Sequence, residues 1–433
     1  MFKTIIDAFK IKEVRRKILI TLALLLIFRI GCWLPIPGIV KDVFTTTVEA
    51  DQNGFLGLLS TLSGGALSNA SILALGVSPY INASIIIQLL QVAFPKLDEL
   101  GKSGEDGKKK INLYTRIAAL VLAVAQAIGI TVSLSSSGLF DTRIWSGAWA
   151  SFAPVFTVIV LVAGAMFTVW LGERITENGI GNGLSLLIFV GILSSAGTAI
   201  LSSITSISTN IDYLWNLIIF FVAVIAVFAL IIFIDGAERK IPVQYAKQVK
   251  GRKTYGGQSN CIPVRVNGSG VMPIILASTL LAVPYMFISL FWPDAAEGYN
   301  AVLGSGTWLN IVLTAVFIFV FAYFYSAITF KPEDISKNIQ QGGGFINGVR
   351  PGKDTTTYLT KVSRRITLFG AIFLAFIALV PSVVFSLVGG NLTPTLTGAF
   401  SATGMMIVVS VALEFQKQLE SQMITRNYKG FLN

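Results

Sequence analysis

The chain has 433 residues, of which 54% are hydrophobic and only 13% are charged, and its formal net charge is +11. Soluble domains carry about 25% charged residues, so this composition excludes a soluble protein: the chain lacks the polar surface to cover a core of that size. The positive charge invites a nucleic-acid partner, but its placement argues for a membrane. Of the 33 Lys and Arg, all but Arg29, Lys41 and Arg143 lie at the start, at the end, or in every second gap between apolar stretches. The intervening gaps hold Asp42, Glu49, Asp51, Asp141, Asp212, Asp294 and Glu297. That alternation is the positive-inside pattern of a polytopic membrane protein. Anionic cytosolic partners and lipid headgroups are a second use for the same cations.

A helical span needs roughly 20 apolar residues. Ten stretches qualify: 18–39, 71–94, 117–134, 152–171, 184–204, 214–234, 271–292, 308–329, 366–388 and 399–420. The start, MFKTIIDAFKIKEVRRK, reads as a basic amphipathic helix on the cytoplasmic face, leading into the first span rather than being cleaved. Ten crossings return the tail, with Lys417, Arg426 and Lys429, to the same side. Inside loops are then 95–116, 172–183, 235–270 and 330–365, and the last two are long and basic. The spans divide five and five, into 1–208 and 209–433, with a hinge near 208–212. An odd number per half gives the halves opposite orientations, which permits an inverted repeat with a site between them near the midplane.

Three places depart from simple spans. In DQNGFLGLLSTLSGGALSNA (51–70), Phe55, Leu56, Leu58, Leu59 and Leu62 predict a short helix stopped by Gly64 and Gly65. It is too short to cross and too apolar for water. Such a half-helix sits at membrane depth only where protein or a cavity surrounds it; the alternative is an interfacial helix on the outer surface. Pro79 is expected to kink the second span, with Ser78 or Asn82 answering the freed carbonyl. In GERITENGIGNGLSLLIF, Asn182 is expected to cap the fifth-span helix. The glycines there are no phosphate cradle, because no strand precedes them and no Lys-Ser/Thr follows.

The chain has no His, which removes the commonest general base and zinc ligand. Cys32 and Cys261 are expected on opposite sides of the membrane, so no disulfide joins them. Arg29 lies near the outer edge of its span, where it is expected to snorkel outward. No span carries a carboxylate near its middle, as a proton-coupled carrier would require. The pairs Val77/Ile81 and Leu184/Ile188 are spaced i, i+4 and share helix faces; spacing alone makes them packing or lipid-facing residues. Gln88 and Asn182 are polar groups suited to helix–helix hydrogen bonding. In loop 235–270, IPVQYA and IPVRV read as arms of a hairpin whose tip projects Lys247, Lys250, Arg252 and Lys253. In loop 330–365, the Gly-rich turn GGGFINGVRPGKDT displays Arg350. Both loops suit docking to RNA phosphate or an acidic protein groove, unless they are merely solvated charge.

FRIGCWLPIPGI, SGGALSNASILALGVSPYINASIIIQLL, GERITENGIGNGLSLLIF, ERKIPVQYAK…YGGQSNCIPVRVNGSGVMPIILAS and GFINGVRPG follow one another along the chain. Together they resemble the SecY family, the channel subunits of bacterial protein translocation. The resemblance implies an all-α membrane fold: ten helices in two inverted five-helix halves, a clamshell around an hourglass pore. It implies a pore ring of Val77, Ile81, Leu184, Ile188, Ile275 and Ile407, of which Val77 and Leu184 depart from the commonest isoleucine. It implies a plug over about 53–67, with Asn53, Phe55, Leu58, Leu59, Leu62, Gly64, Gly65 and Leu67. A lateral gate between spans two and three and spans seven and eight is implied, with Gln88 and Asn182 in that region. The hairpin tip and Arg350 become docking points. No catalytic residue, metal or cofactor is expected. The implied partners are SecE, SecG, the SecA ATPase, the ribosome, signal sequences, unfolded secretory or membrane proteins and the bilayer. The implied location is the bacterial cytoplasmic membrane, with both termini cytosolic. A secondary transporter and a membrane-embedded enzyme are the rival readings.

Overall fold

Apolar runs of this length fold as helices because a bilayer leaves no water to satisfy backbone N–H and C=O groups. The computed structural model describes residues 9, 11–50, 55–135, 138–141, 144–145, 147–207, 212–245, 248–250, 253–255, 260–291, 293–304, 307–388, 396, 398 and 400–429. In the first half the helices are α1 (Lys12–Gly31), α2 (Lys41–Ala50), α3 (Phe55–Leu62), α4 (Ser78–Ala93), α5 (Pro95–Lys102), α6 (Glu105–Ser135), α7 (Ala153–Asn178) and α8 (Gly183–Ile207). The second half has α9 (Asp212–Asp235), α10 (Met272–Phe291), α11 (Pro293–Leu303), α12 (Trp308–Thr329), α13 (Pro332–Gln341), α14 (Lys353–Val388) and α15 (Ala402–Lys429). Each of the ten predicted stretches contains one long helix. The predicted hinge at 208–211 lies outside the described residues.

Among the described residues, six helices are long and apolar enough to cross a membrane, and seven if the bent pair α4–α5 counts as one span. The ten predicted crossings exceed that number for identifiable reasons. The helix α1 carries Lys12, Arg15, Arg16, Lys17 and Arg29. At 16 residues, α4 reaches only about 24 Å, at roughly 1.5 Å per residue. Lys12–Lys17 forms the first turns of α1, since no Gly or Pro breaks the run, and residues 1–8 and 10 of the predicted amphipathic start lie outside the described residues.

The second span differs from its prediction at its start. Residues 71–77 are turns, not helix. They are held by a β-bridge between Pro35 and Ser71 and by the Ile72 N–H donating to the Leu34 carbonyl at 3.0 Å. Pro79 therefore sits in the first turn of α4, where its missing N–H costs nothing, and produces no kink. The sharp bend comes instead at Pro95, where α4 and α5 meet at 106°.

Three packed regions organise the membrane part. One core joins α2, α3, α6 and α7 through Phe44, Leu59, Ala123, Ala127 and Leu161. Another unites α9, α10, α12, α14 and α15 around Phe220, Ile318, Leu374 and Met406. A third combines residues from α1, α4, α7, α8, α10, α12 and α15.

On the side that the charge pattern assigns to the cytosol, the two long loops join. Strands β1 (Glu238–Tyr245) and β4 (Asn260–Arg265) form the predicted hairpin, Ile241 opposite Ile262. At its far end, β2 (Gln248–Lys250) pairs with β3 (Lys253–Tyr255). The other loop contributes β5 (Gly344–Ile346), which pairs with β1 to give the order β4-β1-β5. Ile241, Val243 and Val264 pack against Ile339, Leu359 and Val362, so sheet, α13 and the start of α14 share one core.

Candidate functional site

The six aliphatic side chains of the expected ring all fall in or against this third cluster. Val77, Ile188, Ile275 and Ile407 are buried there, and Ile81 and Leu184 are half-buried against that cluster. Each stands at the beginning of its helix. Val77 precedes the first residue of α4 and Ile81 follows within a turn; Leu184 and Ile188 occupy the first turns of α8. Ile275 lies in the first turn of α10 and Ile407 in the second of α15. First half and second half thus both supply the cluster, and none of the six belongs to the exposed apolar exterior formed by residues such as Phe233, Trp308 and Phe369.

The short helix α3 abuts this cluster. Leu62 belongs to this cluster, whereas Leu59 and Leu67 are buried in the core that includes residues of α6 and α7. Phe55 and Leu58 lie on α3; Asn53 falls outside the described residues. The helix stops as predicted. Gly64 and Gly65 adopt φ of +71° and +78°, a region that disfavours side chains, and the Gly65 N–H turns back to the Ser60 carbonyl at 2.8 Å. This helix is buried in protein, so the alternative of an interfacial surface helix does not hold.

Arg29 does not turn to the outer surface as expected from snorkelling. Its Nη1 donates to the Gly64 carbonyl at 3.1 Å, at the turn that ends α3. Sequence gave no signal for this pairing, because the partner is a backbone atom 35 residues away. Cys32 is buried and Cys261 exposed, and no disulfide joins them.

The two expected seam residues behave differently. Gln88 on α4 donates to Ser84 Oγ at 3.3 Å and accepts from the Tyr325 hydroxyl on α12 at 3.2 Å. That second bond ties the first half to the second. Tyr325 was not foreseen: in the run FAYFYSA it looks like one aromatic among several. Asn182 instead accepts the N–H groups of Leu184 and Ser185 at 3.1 and 3.4 Å. Its amide oxygen serves as the cap of α8, as the sequence predicted.

Beside the sheet built from the two long loops, Arg350 is exposed and its backbone is fixed, its carbonyl accepting from Thr355 Oγ1 at 2.8 Å. Lys250 and Lys253 are opposite one another in the β2–β3 register. Lys247 and Arg252 lie outside the described residues.

With this geometry in place, comparison with known proteins is informative. The SecY family model matches residues 71–416. The chain is 39% identical over 440 residues to "Protein translocase subunit SecY" of Halalkalibacterium halodurans, covering 100% of each. Its fold is similar to that in "The structure of a protein conducting channel", with TM-score 0.65 and 17% identity, covering 95% of this chain and 93% of that one. It is also similar to "Sec61 in the Canine ribosome-channel complex from the endoplasmic reticulum", with TM-score 0.59, 16% identity and the same coverage. A full-length relative well above 30% identity and a family match over most of the sequence lead to one conclusion: this chain belongs to the SecY family.

Proposed function

We propose that this protein is a protein-conducting channel of the bacterial cytoplasmic membrane, not an enzyme. It passes unfolded secretory polypeptides across the membrane and releases signal sequences and transmembrane segments sideways into lipid. The observation that carries this reading is the convergence of Val77, Ile81, Leu184, Ile188, Ile275 and Ile407 in one cluster fed by both halves. A translocating polypeptide presents every kind of side chain, so its conduit cannot rely on specific ligands. An apolar constriction binds nothing strongly and closes by dewetting. It widens around a chain while impeding ions.

In this reading α1, α4, α6 to α10, α12, α14 and α15 make ten crossings in two inverted halves, 1–208 and 209–433, with both termini cytosolic. The segment 53–67 is the plug. Segments leave through the seam where α4 and α6 meet α10 and α12, because partitioning of apolar surface into lipid drives them out. The channel supplies no energy of its own. SecA or a translating ribosome drives the chain from the cytosolic sheet, at Arg350 and the tip with Lys247, Lys250, Arg252 and Lys253; SecE and SecG complete the channel. The ribosome-bound state of the similar Sec61 structure supports the ribosome as one such partner.

A photoreactive residue placed at 407, 81 or 188 is expected to crosslink a stalled secretory chain, whereas one at Phe369, 69% exposed, is expected to label lipid. Equal labelling from all four positions would refute the conduit. At the seam, Tyr325→Phe removes one hydrogen bond worth about 0.5–1.5 kcal/mol. Lateral release should become roughly 2- to 10-fold more favourable, so less apolar test segments insert. An unmoved insertion threshold would separate Gln88–Tyr325 from the gate.

A further inference from the structure

Arg29 is a cation inside the first predicted span, half-buried, beside the fully buried Phe28 and one turn before the buried Cys32. A charge at such depth is expensive and pairs with something. Here it reaches the carbonyl of Gly64, at the C-terminal end of α3. The C-terminus of a helix carries partial negative charge from its outward carbonyls, so a guanidinium is favoured there. The next carbonyl back is also met by α1, since Cys32 Sγ lies 3.7 Å from the Ser63 oxygen in donating geometry. On the opposite side, α8 comes so close that a Cβ on Gly191 would stand 2.9 Å from the Leu62 oxygen and 3.2 Å from the Gly64 nitrogen. A Cβ on Gly64 would meet both Arg29 Nη1 and the Gly191 Cα at 2.7 Å. The turn closing α3 is therefore clasped between α1 and α8.

We infer that Arg29 is a positioning residue that latches the plug in its seated place, by a charge-assisted hydrogen bond from α1 to the Gly64 carbonyl. The inference rests on the plug reading of α3. The latch depends on the state of the channel. While the constriction is dry, the guanidinium has much to lose by giving up this carbonyl, because an unmet charged donor in low dielectric is costly. Once a polypeptide opens the constriction and water enters, water replaces the carbonyl and the bond loses its value. The latch thus resists the first step of opening and offers little resistance afterwards, which sharpens the response to a signal sequence.

The test uses the channel with its partner subunits, reconstituted in vesicles, and reads resting ion leak and export of a precursor with a defective signal sequence. Arg29→Gln, Arg29→Lys and deletion of residues 53–62 are each made alone, and Arg29→Gln is combined with the deletion. Arg29→Gln is expected to raise leak on the order of tenfold, the change that loss of one hydrogen bond to a charged group produces. Arg29→Lys keeps the cation and is expected to restore part of the seal. In the deleted background Arg29→Gln is expected to add nothing, because the helix that the bond to Gly64 holds in place is gone. A purely structural role would instead add the same leak in both backgrounds, and that result overturns the latch. Arg29→Gln as tight as wild type, beside a leaky deletion, also overturns it while leaving the plug intact. A deletion that leaks no more than wild type removes the plug reading itself. Should Arg29→Gln fail to assemble, Gly64→Ala tests the same clasp from the other side, with leak as the expected result and a tight channel as the refuting one.

Discussion

Ile407→Asn is expected to raise the resting ion conductance of the reconstituted channel roughly 10- to 100-fold and to admit precursors whose signal sequences are defective. Ile407 is 4% exposed within its cluster, among aliphatic groups that offer an amide no partner of their own. An amide forced into such a place without compensation costs about 1–3 kcal/mol in the closed state. Opening wets the constriction and relieves that cost, so the closed state alone is penalised. At 1.4 kcal/mol per decade, the open fraction rises by the stated factor. Ile407→Leu preserves volume and polarity and should stay tight, since swaps of that kind usually cost under about 1.5 kcal/mol. Single-channel recording and export of a signal-defective precursor measure both effects. An Asn variant as tight and as selective as wild type would place the seal elsewhere.

Arg350→Glu is expected to cut partner-driven export by more than tenfold with no change in resting leak. The side chain is exposed, so reversing its charge removes no packing. Its backbone is set by neighbours: the Thr355 hydroxyl holds its carbonyl, Ser336 Oγ donates to the Gly352 carbonyl at 2.8 Å, and Gly348 and Gly352 take φ of +81° and +100°. The loop should keep its shape in the variant. What changes is the encounter with an anionic partner, where like charges brought together cost several kcal/mol. Arg350→Lys should recover only part of the rate, because an ammonium lacks the planar fork that engages carboxylate or phosphate in two bonds. Translocation rates with SecA or with ribosome-bound chains, taken at two salt concentrations, read the effect. Normal export by Arg350→Glu would remove this residue from the docking surface.

These two sites illustrate how far the sequence reaches. Alternating charge and apolar runs set the ten helices, because a helix answers to neighbours three and four residues away and a membrane demands closed backbone hydrogen bonding. The stop at Gly64–Gly65 and the cap at Asn182 were equally local, each dictated by residues within one turn. The ring was different. Spacing i, i+4 places Val77 with Ile81 and Leu184 with Ile188, but thousands of packing pairs share that spacing. Only the family resemblance singled out six positions spread over more than 300 residues, and only the folded chain brings them into one cluster.

The amino-acid sequence by itself determined the class of protein, the helices and their punctuation. Tertiary structure decided the rest: that α4 begins at Ser78, because residues 71–77 are held by bonds to Leu34 and Pro35; that β5 joins β1 from a loop about a hundred residues later; that Arg29 finds Gly64 and Tyr325 finds Gln88. The reason is common to all four. Local periodicity records which face of a helix is apolar, but a partner reached through space leaves no mark in the spacing of the residues around it.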